Sequence, residues 1–368
     1  MVCLWLAEFG PAAALAAVED EEKAYRQGWL AIHAAARRGY ALVVRMLLAA
    51  APQTAGHSTP HGRTPLHEAA TSGDADTVEL LLAVAPATAA AADSAGRFPL
   101  HEAAAALSAK AVLLLYAAHP EAALAADAEG WMPLHCAAAE SVIEEEEEEE
   151  EALDALLQAA PEAAFHAHAG GRQPLHLAAG SYSSERALRS LLNAAPNAAR
   201  AADKDGVTAL HRAAITGHTA AVQILAEAAP DMLLAQDADG ETPLHWAAGS
   251  LDADAEVVEA CLAAAPLGTS LVTAKAKNGC LPLHFAAEAN NLSALDAICR
   301  ALPPGGVTAT NLRGWAGERS PGKMGHVQMA AALVAAAPGS LTLTVDNGST
   351  PMHLAAYCCR SEHKCSTS

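Results

Sequence analysis

The chain has 368 residues, a formal net charge of −20, and 52% hydrophobic but only 4% aromatic residues. The surplus of acidic side chains argues against general nucleic-acid binding, because affinity for a polyphosphate comes mainly from Lys and Arg. The apolar content is mostly Ala, Leu and Val, which suits closely packed helices better than a globular core of bulky side chains.

The eight cysteines are scattered without a paired framework, which is typical of free thiols in a reducing compartment. The first residues lack the basic region of a secretory signal, and Glu8 interrupts their apolar run. No clean run of roughly 18 apolar residues occurs. We therefore expect a monomeric intracellular protein, cytoplasmic or nuclear, without membrane insertion.

A short N-terminal segment, residues 1–23, precedes a pattern that recurs along the chain. Its charged residues 19–23 predict a capping helix ahead of the first unit. The pattern Thr-Pro-Leu-His, or a close variant, has its His at His33, His67, His101, His135, His176, His211, His245, His284 and His353. A period near 34 residues indicates supersecondary units that bury their apolar faces against their neighbours.

Residues 62–86 show what one unit contains. Gly62 supplies the positive φ of a tight turn, Thr64 is expected to cap a helix with its hydroxyl, and Pro65 suits the first helical position. Gly73 ends this first helix, and Pro86 ends a second one. The turn glycine returns five residues before each motif position, which gives about ten units between residues 24 and 358.

The units resemble the ankyrin repeat, which carries Gly-x-Thr-Pro-Leu-His-x-Ala-Ala followed by a Val-x-x-Leu-Leu helix. The spacing would also suit a tetratricopeptide repeat, but the Trp, Gly, Tyr and Phe positions of that motif are missing. The resemblance implies a mainly α fold, an α-solenoid of tandem helix-turn-helix repeats. It also implies hairpin-like finger loops and a concave surface.

Four places depart from the pattern. An acidic insertion at 144–151 predicts extra helical turns or an acidic loop, either as a solvated expansion or as a docking spot for a basic partner. Five residues are added between His245 and His284, so that finger should protrude. Residues 307–341 form a degenerate unit with an irregular first half, and the last unit is truncated before a Cys-containing polar tail, 359–368.

The repeated histidines could be interpreted as metal ligands or as catalytic groups. They occupy equivalent places in consecutive units, however, about 10 Å apart if the helices stack. We therefore interpret each ring as a structural group that hydrogen-bonds backbone in its own or the neighbouring turn. No phosphate-binding loop, zinc motif or catalytic signature appears, so we expect no enzyme activity, cofactor or metal.

Function on such a scaffold depends on the side chains at the finger tips and on the outward face of each first helix. The tips offer Arg97, Trp131, Arg172, Lys204, Asp239 and Glu241, and the helix face adds Glu68, Glu102, Arg212, Trp246 and Phe285. The aromatic residues Trp131, Trp246 and Phe285 are the first candidates for partner binding, because aromatic side chains are enriched at binding hot spots. The alternative is that they pack on the next unit.

The sequence therefore predicts a non-catalytic protein–protein interaction scaffold. Its acidic surplus favours a protein partner with a basic patch and no nucleic acid. The alternative is a truncated regulatory or anchoring segment of a larger protein, such as a channel, a kinase or a ubiquitin-ligase adaptor.

Overall fold

The computed structural model describes residues 28–140, 147–181, 185–250, 255–265, 271–289 and 291–301. The chain divides into two compact units, Met1–Ala198 and Ala199–Ser368, here called unit 1 and unit 2. The predicted capping helix, the degenerate unit 307–341, the truncated last unit and the tail 359–368 lie outside the described residues.

Unit 1 contains ten helices, which alternate between the first and second helix of five repeats in its described part. They are α1 (Ala31–Arg37), α2 (Ala41–Ala50), α3 (Pro65–Ser72), α4 (Ala75–Val84), α5 (Pro99–Ala105), α6 (Ala109–Ala118), α7 (Pro133–Ala139), α8 (Glu147–Ala159), α9 (Pro174–Gly180) and α10 (Glu185–Ala194). First helices pack on the first helices of adjacent repeats, and second helices pack on second helices. Repeats 1 to 5 are numbered by their histidines, from His33 to His176.

Unit 2 shows the same alternation in its described residues. Its helices are α11 (Ala209–Thr216), α12 (Thr219–Ala228), α13 (Pro243–Gly249), α14 (Ala255–Ala264), α15 (Pro282–Glu288) and α16 (Leu292–Ala301), which form repeats 6 to 8. Here too α13 packs between α11 and α15, and α14 packs between α12 and α16. The predicted α-solenoid of helix-turn-helix repeats is thus confirmed.

Small side chains let the helices of neighbouring repeats approach closely. The two alanines that follow each motif position, such as Ala69 and Ala70, are fully buried, and so is Leu66 on the same face. In the second helix Val78 and Leu81 are buried as expected, whereas Leu82 is only half-buried. Packing of many small groups at high density gives the repeats their shared core.

Short 3-10 helices follow the second helices and begin at the recurring proline. They span Pro52–Gly56, Pro86–Ala90, Pro120–Leu124, Pro161–Phe165, Pro196–Arg200 and Pro230–Leu234. Proline suits these starts because it lacks the N–H that an initial helical position leaves without a partner. The Ala-rich segment between repeats therefore forms a compact turn before each finger.

The fingers are tight turns that bond to one another along each unit. In unit 1 the Ser94 amide donates to the His61 carbonyl at 2.8 Å, and the Ala128 amide donates to the Ala95 carbonyl at 2.8 Å. Each turn glycine within the described ranges has positive φ, for example +83° at Gly130, where a Cβ would lie 2.9 Å from the Ala169 nitrogen. Glycine is required there by both the backbone conformation and the close approach.

The motif histidines are buried and hold each repeat together, as the sequence predicted. In all eight described repeats Nδ1 accepts the backbone N–H three residues earlier, at 2.8–3.2 Å. In five of them Nε2 lies 3.0–3.3 Å from a carbonyl oxygen in or near the next finger. Because Nδ1 accepts, the proton belongs on Nε2, which donates to that carbonyl.

This arrangement corrects the expected role of Thr64. Its hydroxyl makes no hydrogen bond to the backbone of α3 and instead lies 2.9 Å from Nδ1 of His67. Phe98 and Met132, which stand in the same position, also begin helices without a side-chain cap. The imidazole therefore accepts the N–H of the cap residue itself, whatever that residue is, while the Thr208 hydroxyl still accepts the His211 amide of its helix at 3.5 Å.

The acidic insertion lengthens a second helix in its described part. The helix α8 has 13 residues, against ten in α6 and α10. That difference is about one helical turn. Residues 141–146 lie outside the described residues, and so do residues 266–270 in the finger that was expected to protrude. The structure of the complete acidic insertion and the protrusion of that finger therefore stay predictions.

Acid should destabilise the array through its buried histidines. Burial lowers the pKa of His33, His67, His135 and His245 to about 4. Between the unfolded pKa of 6.5 and the folded value near 4, the unfolded chain binds more protons, so stability is lost as the pH falls. At about pH 5 each such histidine should lower the free energy of unfolding by about 2 kcal/mol.

The measurement is urea denaturation at about pH 7.5 and about pH 5, at equal ionic strength, in the wild type and in His67→Gln. The glutamine amide can still accept the N–H and donate to the carbonyl, but it does not titrate. We expect a smaller loss of stability on acidification in the variant. A midpoint that is the same at both pH values in the wild type would contradict the interpretation.

Candidate functional site

Two side-chain positions recur on one surface of the repeats. One position follows each turn glycine, and the other follows each motif histidine; together they are called the finger–helix surface. In unit 1 the first position holds Trp29, Arg63, Arg97, Trp131 and Arg172, and the second holds Ala34, Glu68, Glu102, Cys136 and Leu177. In unit 2 they hold Val207, Glu241 and Cys280, and Arg212, Trp246 and Phe285.

An aspartate fixes the backbone of several fingers three residues before the turn glycine. Oδ1 of Asp93 accepts the amides of Ala95 and Arg97 at 2.9 and 3.0 Å. The same pair of bonds recurs at Asp127, Asp203 and Asp237. These carboxylates hold the finger backbone in one conformation, so the side chain after the glycine leaves each finger at a defined place.

A chain of ion pairs crosses the first repeats of unit 1. Arg63 Nε donates to Glu68 Oε1 at 2.6 Å, and its Nη1 donates to Glu102 Oε1 at 3.0 Å. Arg63 Nη2 donates to Thr71 Oγ1 at 3.0 Å, and that hydroxyl lies 3.1 Å from Glu102 Oε2. Arg97 Nη1 is 3.5 Å from Glu102 Oε1. Arginines and glutamates from successive repeats thus alternate.

The structure corrects the expectation that Glu68 and Glu102 are exposed. Their exposed fractions are 2% and 5%, because Arg63 extends from its finger over the first helices and covers both. Burial alone would raise the pKa of Glu102, but Arg63 and Arg97 hold it below its usual value. Glu102 is therefore an ionised partner within the array, Glu68 is held by the same arginine, and direct contact of either with a binding partner stays a prediction.

An open pocket of about 430 Å³ lies beside these ion pairs in unit 1. Its lining includes Arg37, Arg63 and Arg97, together with Trp29, His61, Thr71 and the two glutamates. Arg37 and Arg97 are 44% and 31% exposed at their side chains. The pocket therefore presents guanidinium groups to solvent in a chain that is acidic as a whole.

Trp131 takes the finger position of repeat 4 and stacks on histidine. Its ring centroid lies 5.4 Å from that of His168, at an interplanar angle of 22°, and 6.3 Å from that of His135. The side chain is half-buried. Packing on the next finger thus accounts for one face of Trp131, which leaves part of the ring exposed for contact.

In unit 2 the aromatic candidates also pack on the preceding repeat. Trp246 meets the ring of His211 edge-on at 5.5 Å, and its Nε1 donates to Asp237 Oδ2 at 3.0 Å. Phe285 meets the ring of His245 edge-on at 5.2 Å. Both side chains are half-buried. They contact the preceding repeat and are still partly exposed to solvent.

Acidic groups surround Trp246. Burial, and then the charges of Asp237 and Asp239, raise the pKa of Glu241 above its usual value. Asp239 is exposed at the tip of the same finger, and Lys204 is exposed on the preceding finger. Burial and the charges of the two aspartates together disfavour the charged form of this carboxylate.

The remaining candidates, Arg212 and Arg172, lie on a first helix and on a finger, as the repeat pattern predicted. Arg212 Nη2 is 3.5 Å from Asp203 Oδ2, and Asp203 is buried. Arg172 is half-buried on the finger of repeat 5. The structure brings together Arg97, Glu68 and Glu102 in unit 1, and Trp246 and Glu241 in unit 2.

Sequence reasoning missed Arg37 and Arg63, which complete the charged pocket. Arg63 follows Gly62 as Arg97 follows Gly96, so an alignment of the repeats would have found it. The signal for Arg37 is weaker because it lies on the last turn of α1, four residues after His33. The finger aspartates, at a constant distance before the turn glycine, could also have been found by alignment.

Two features are absent from the described part of the chain. Within it, no group of three or more His, Cys, Asp and Glu side chains is placed to hold a metal ion. Likewise, none of the helices in those ranges combines the length and hydrophobicity that crossing a bilayer requires.

Comparisons with known proteins agree with the repeat geometry. A family model for three consecutive ankyrin repeats matches residues 3–88 and 142–236, and the single ankyrin repeat matches residues 239–269. The chain is an ankyrin repeat protein. The search of curated protein sequences finds no significant match to it.

A solved ankyrin domain shares the fold. The human ASB11 ankyrin repeat domain superposes with a TM-score of 0.52 at 22% identity, over 64% of this chain and 98% of the other. The ankyrin repeat domain of Bcl-3 gives a TM-score of 0.46 at 23% identity, over 64% of this chain and 98% of the other. Ankyrin repeats are generally protein–protein interaction modules.

Removal of one buried carboxylate should destabilise this ankyrin array. In Glu102→Gln, Arg63 and Arg97 lose a shared charged acceptor, and we expect the free energy of unfolding to fall by about 2–4 kcal/mol. The matched control is Lys110→Gln, which breaks an exposed ion pair with Asp76 and should cost less than about 1 kcal/mol.

Urea denaturation of both variants at neutral pH measures the difference. Equal stability of Glu102→Gln and Lys110→Gln would show that the ion-pair chain contributes no more than a surface pair.

Proposed function

We propose that the chain is a non-catalytic scaffold that recognises a protein partner through its finger–helix surface, and that unit 2 contacts a basic patch of that partner. The proposal rests on two features of this surface. Its backbone is held by the finger aspartates and the motif histidines, and its variable side chains include half-exposed Trp and Phe. A preformed surface loses little conformational entropy on binding.

The observation that carries the basic-partner proposal is the surroundings of Trp246. Two neighbouring carboxylates, Asp237 and Asp239, help to raise the pKa of Glu241 beside it. A partner cation placed there would gain from the negative potential of these carboxylates. Aromatic side chains are also enriched at binding hot spots.

The distribution of charge supports a contact on the first two fingers of unit 2. Residues 203–206 and 237–241 carry five carboxylates and one lysine, Lys204. The third finger carries Lys275 and Lys277, and Lys277 Nζ donates to the Ala238 carbonyl at 2.5 Å. A basic patch is therefore expected to avoid the third finger.

Charge reversal at the finger tips tests the proposal. Asp205 and Asp239 are exposed, and the double variant Asp205→Lys/Asp239→Lys should lower the affinity for the partner at least about tenfold at low salt. The matched control is Glu227→Lys/Glu256→Lys, which makes the same change in net charge on the second helices. The control should retain binding.

The measurement is affinity capture from native extract with mass-spectrometric identification, followed by titration of the purified partner with each variant. Partners that bind the wild type and the second-helix variant, but not the finger variant, would support the proposal. Equal capture by both variants would place the interface elsewhere and contradict it.

A further inference from the structure

Arg63 and Arg97 of unit 1 differ in the number and quality of their hydrogen-bond acceptors. Arg63 donates to Glu68, Glu102 and Thr71, and its Nη1 also lies 3.4 Å from Asp93 Oδ2. Arg97 has much poorer partners. Nη1 is 3.5 Å from Glu102, Nη2 is 3.6 Å from the Cys136 thiol, and Nε is buried without a hydrogen-bond partner among the described residues.

The repeat pattern explains why Arg97 lacks a second carboxylate. Arg63 is bonded to the glutamate of its own repeat, Glu68, and to that of the next repeat, Glu102. For Arg97 the glutamate of its own repeat is Glu102, but the next repeat has Cys136 at the equivalent position. A thiol is a weak acceptor. The ion-pair chain therefore ends with guanidinium donors left over.

The opposite end of the chain has a similar excess. Arg37 Nη1 lies 3.8 Å from Glu68 Oε2, beyond hydrogen-bond distance, and its side chain is 44% exposed. Repeat 1 carries Ala34 at the position of the glutamates, so it adds no carboxylate of its own. Arg37 and Arg97 both line the pocket of about 430 Å³, and Arg63 lies in the same lining.

We propose that this pocket binds a carboxylate side chain, Asp or Glu, from an extended acidic segment of a protein partner, with Arg97 and Arg37 as the donors. The fork of Arg97 can bond a carboxylate through two N–H groups, which Arg63 cannot because its donors are already used. The volume is within the range of about 300–1,000 Å³ that is typical of ligand pockets.

The charge of the lining favours one small anionic group over a polyanion. Three arginines and two glutamates line the pocket, so its lining has one net positive charge when His61 is neutral. The chain as a whole carries −20, which repels a nucleic acid at long range. A single carboxylate matches the local excess without bringing a long run of negative charge near the acidic chain.

This inference rests on the proposed function, since it assumes that the finger–helix surface binds a partner, and it adds the chemistry of a second contact. Unit 2 would take basic groups, and unit 1 would take a carboxylate. The two contacts are tested with different variants, so one proposal can fail while the other stands.

The probe is a phage-displayed library of random dodecamer peptides, selected on the full chain at low salt. We expect selected peptides to share an Asp or Glu at a fixed position. A synthetic selected peptide, labelled with fluorescein, is then titrated by anisotropy, together with its Asp→Asn or Glu→Gln version. The amide peptide should bind about tenfold more weakly or worse, because a charged acceptor is lost.

Three protein variants locate the contact. Arg37→Gln and Arg97→Lys should each weaken the acidic peptide about tenfold but leave the amide peptide nearly unchanged, since lysine lacks the bidentate fork. Cys136→Glu should also weaken it, because the new carboxylate would take the donors of Arg97. The equivalent positions already hold buried Glu68 and Glu102, so the fold accommodates glutamate there.

Thermal unfolding of each variant checks that the array is intact. The double variant Asp205→Lys/Asp239→Lys is the unit 2 control, and it should bind the acidic peptide at least as well as the wild type.

The absence of any acidic position among selected peptides would overturn the proposal. So would an acidic peptide whose affinity is unchanged in both Arg37→Gln and Cys136→Glu. The selected peptides could also carry a pair of acidic residues that mimics a phosphate. If such a peptide binds tenfold better when phosphoserine replaces the pair, the ligand of the pocket is a phosphate and not a carboxylate.

Discussion

The buried hydrogen bonds of the motif histidine hold this array in its register. One nitrogen satisfies the start of its own first helix, and the other reaches a carbonyl of the next finger, as His67 does with Thr64 and Arg97. A single neutral imidazole thereby joins local structure to the contact between repeats. Since each unit is too small to bury its own apolar face, such a link between repeats stabilises the stack, and it recurs in five of the eight described repeats.

This fixed frame leaves two side chains per repeat free to vary. The residue after the turn glycine and the residue after the histidine change from Arg and Glu in repeats 2 and 3 to Glu241 and Trp246 in repeat 7. The backbone beneath them keeps the same bonds, such as those of Asp93 and Asp237 to their finger amides. Charge and aromatic character can therefore differ between repeats without a change of fold.

The sequence was sufficient to predict the repeat, its helices and the structural role of the histidines, because each of these recurs at a constant offset. It was not sufficient for side chains whose surroundings come from another repeat. Thr64 was assigned as a cap because local rules favour threonine there, whereas its hydroxyl lies against the imidazole three residues later and makes no cap bond to the helix. Glu68 and Glu102 were expected to be exposed because helical periodicity does not show that Arg63 covers them.

Contacts between repeats can be predicted once the sequences of the repeats are aligned. An arginine after the turn glycine meets the residue after the histidine in its own repeat and in the next one, as Arg63 meets Glu68 and Glu102. The same two positions paired Arg97 with Glu102 and Cys136. Where the second partner is not a carboxylate, the guanidinium keeps donors for an external group. An external acceptor would be favourable there, because a buried or half-buried N–H without an acceptor costs free energy. The mismatch at Cys136 therefore distinguishes Arg97, which has weak acceptors, from Arg63, whose donors are held by two glutamates.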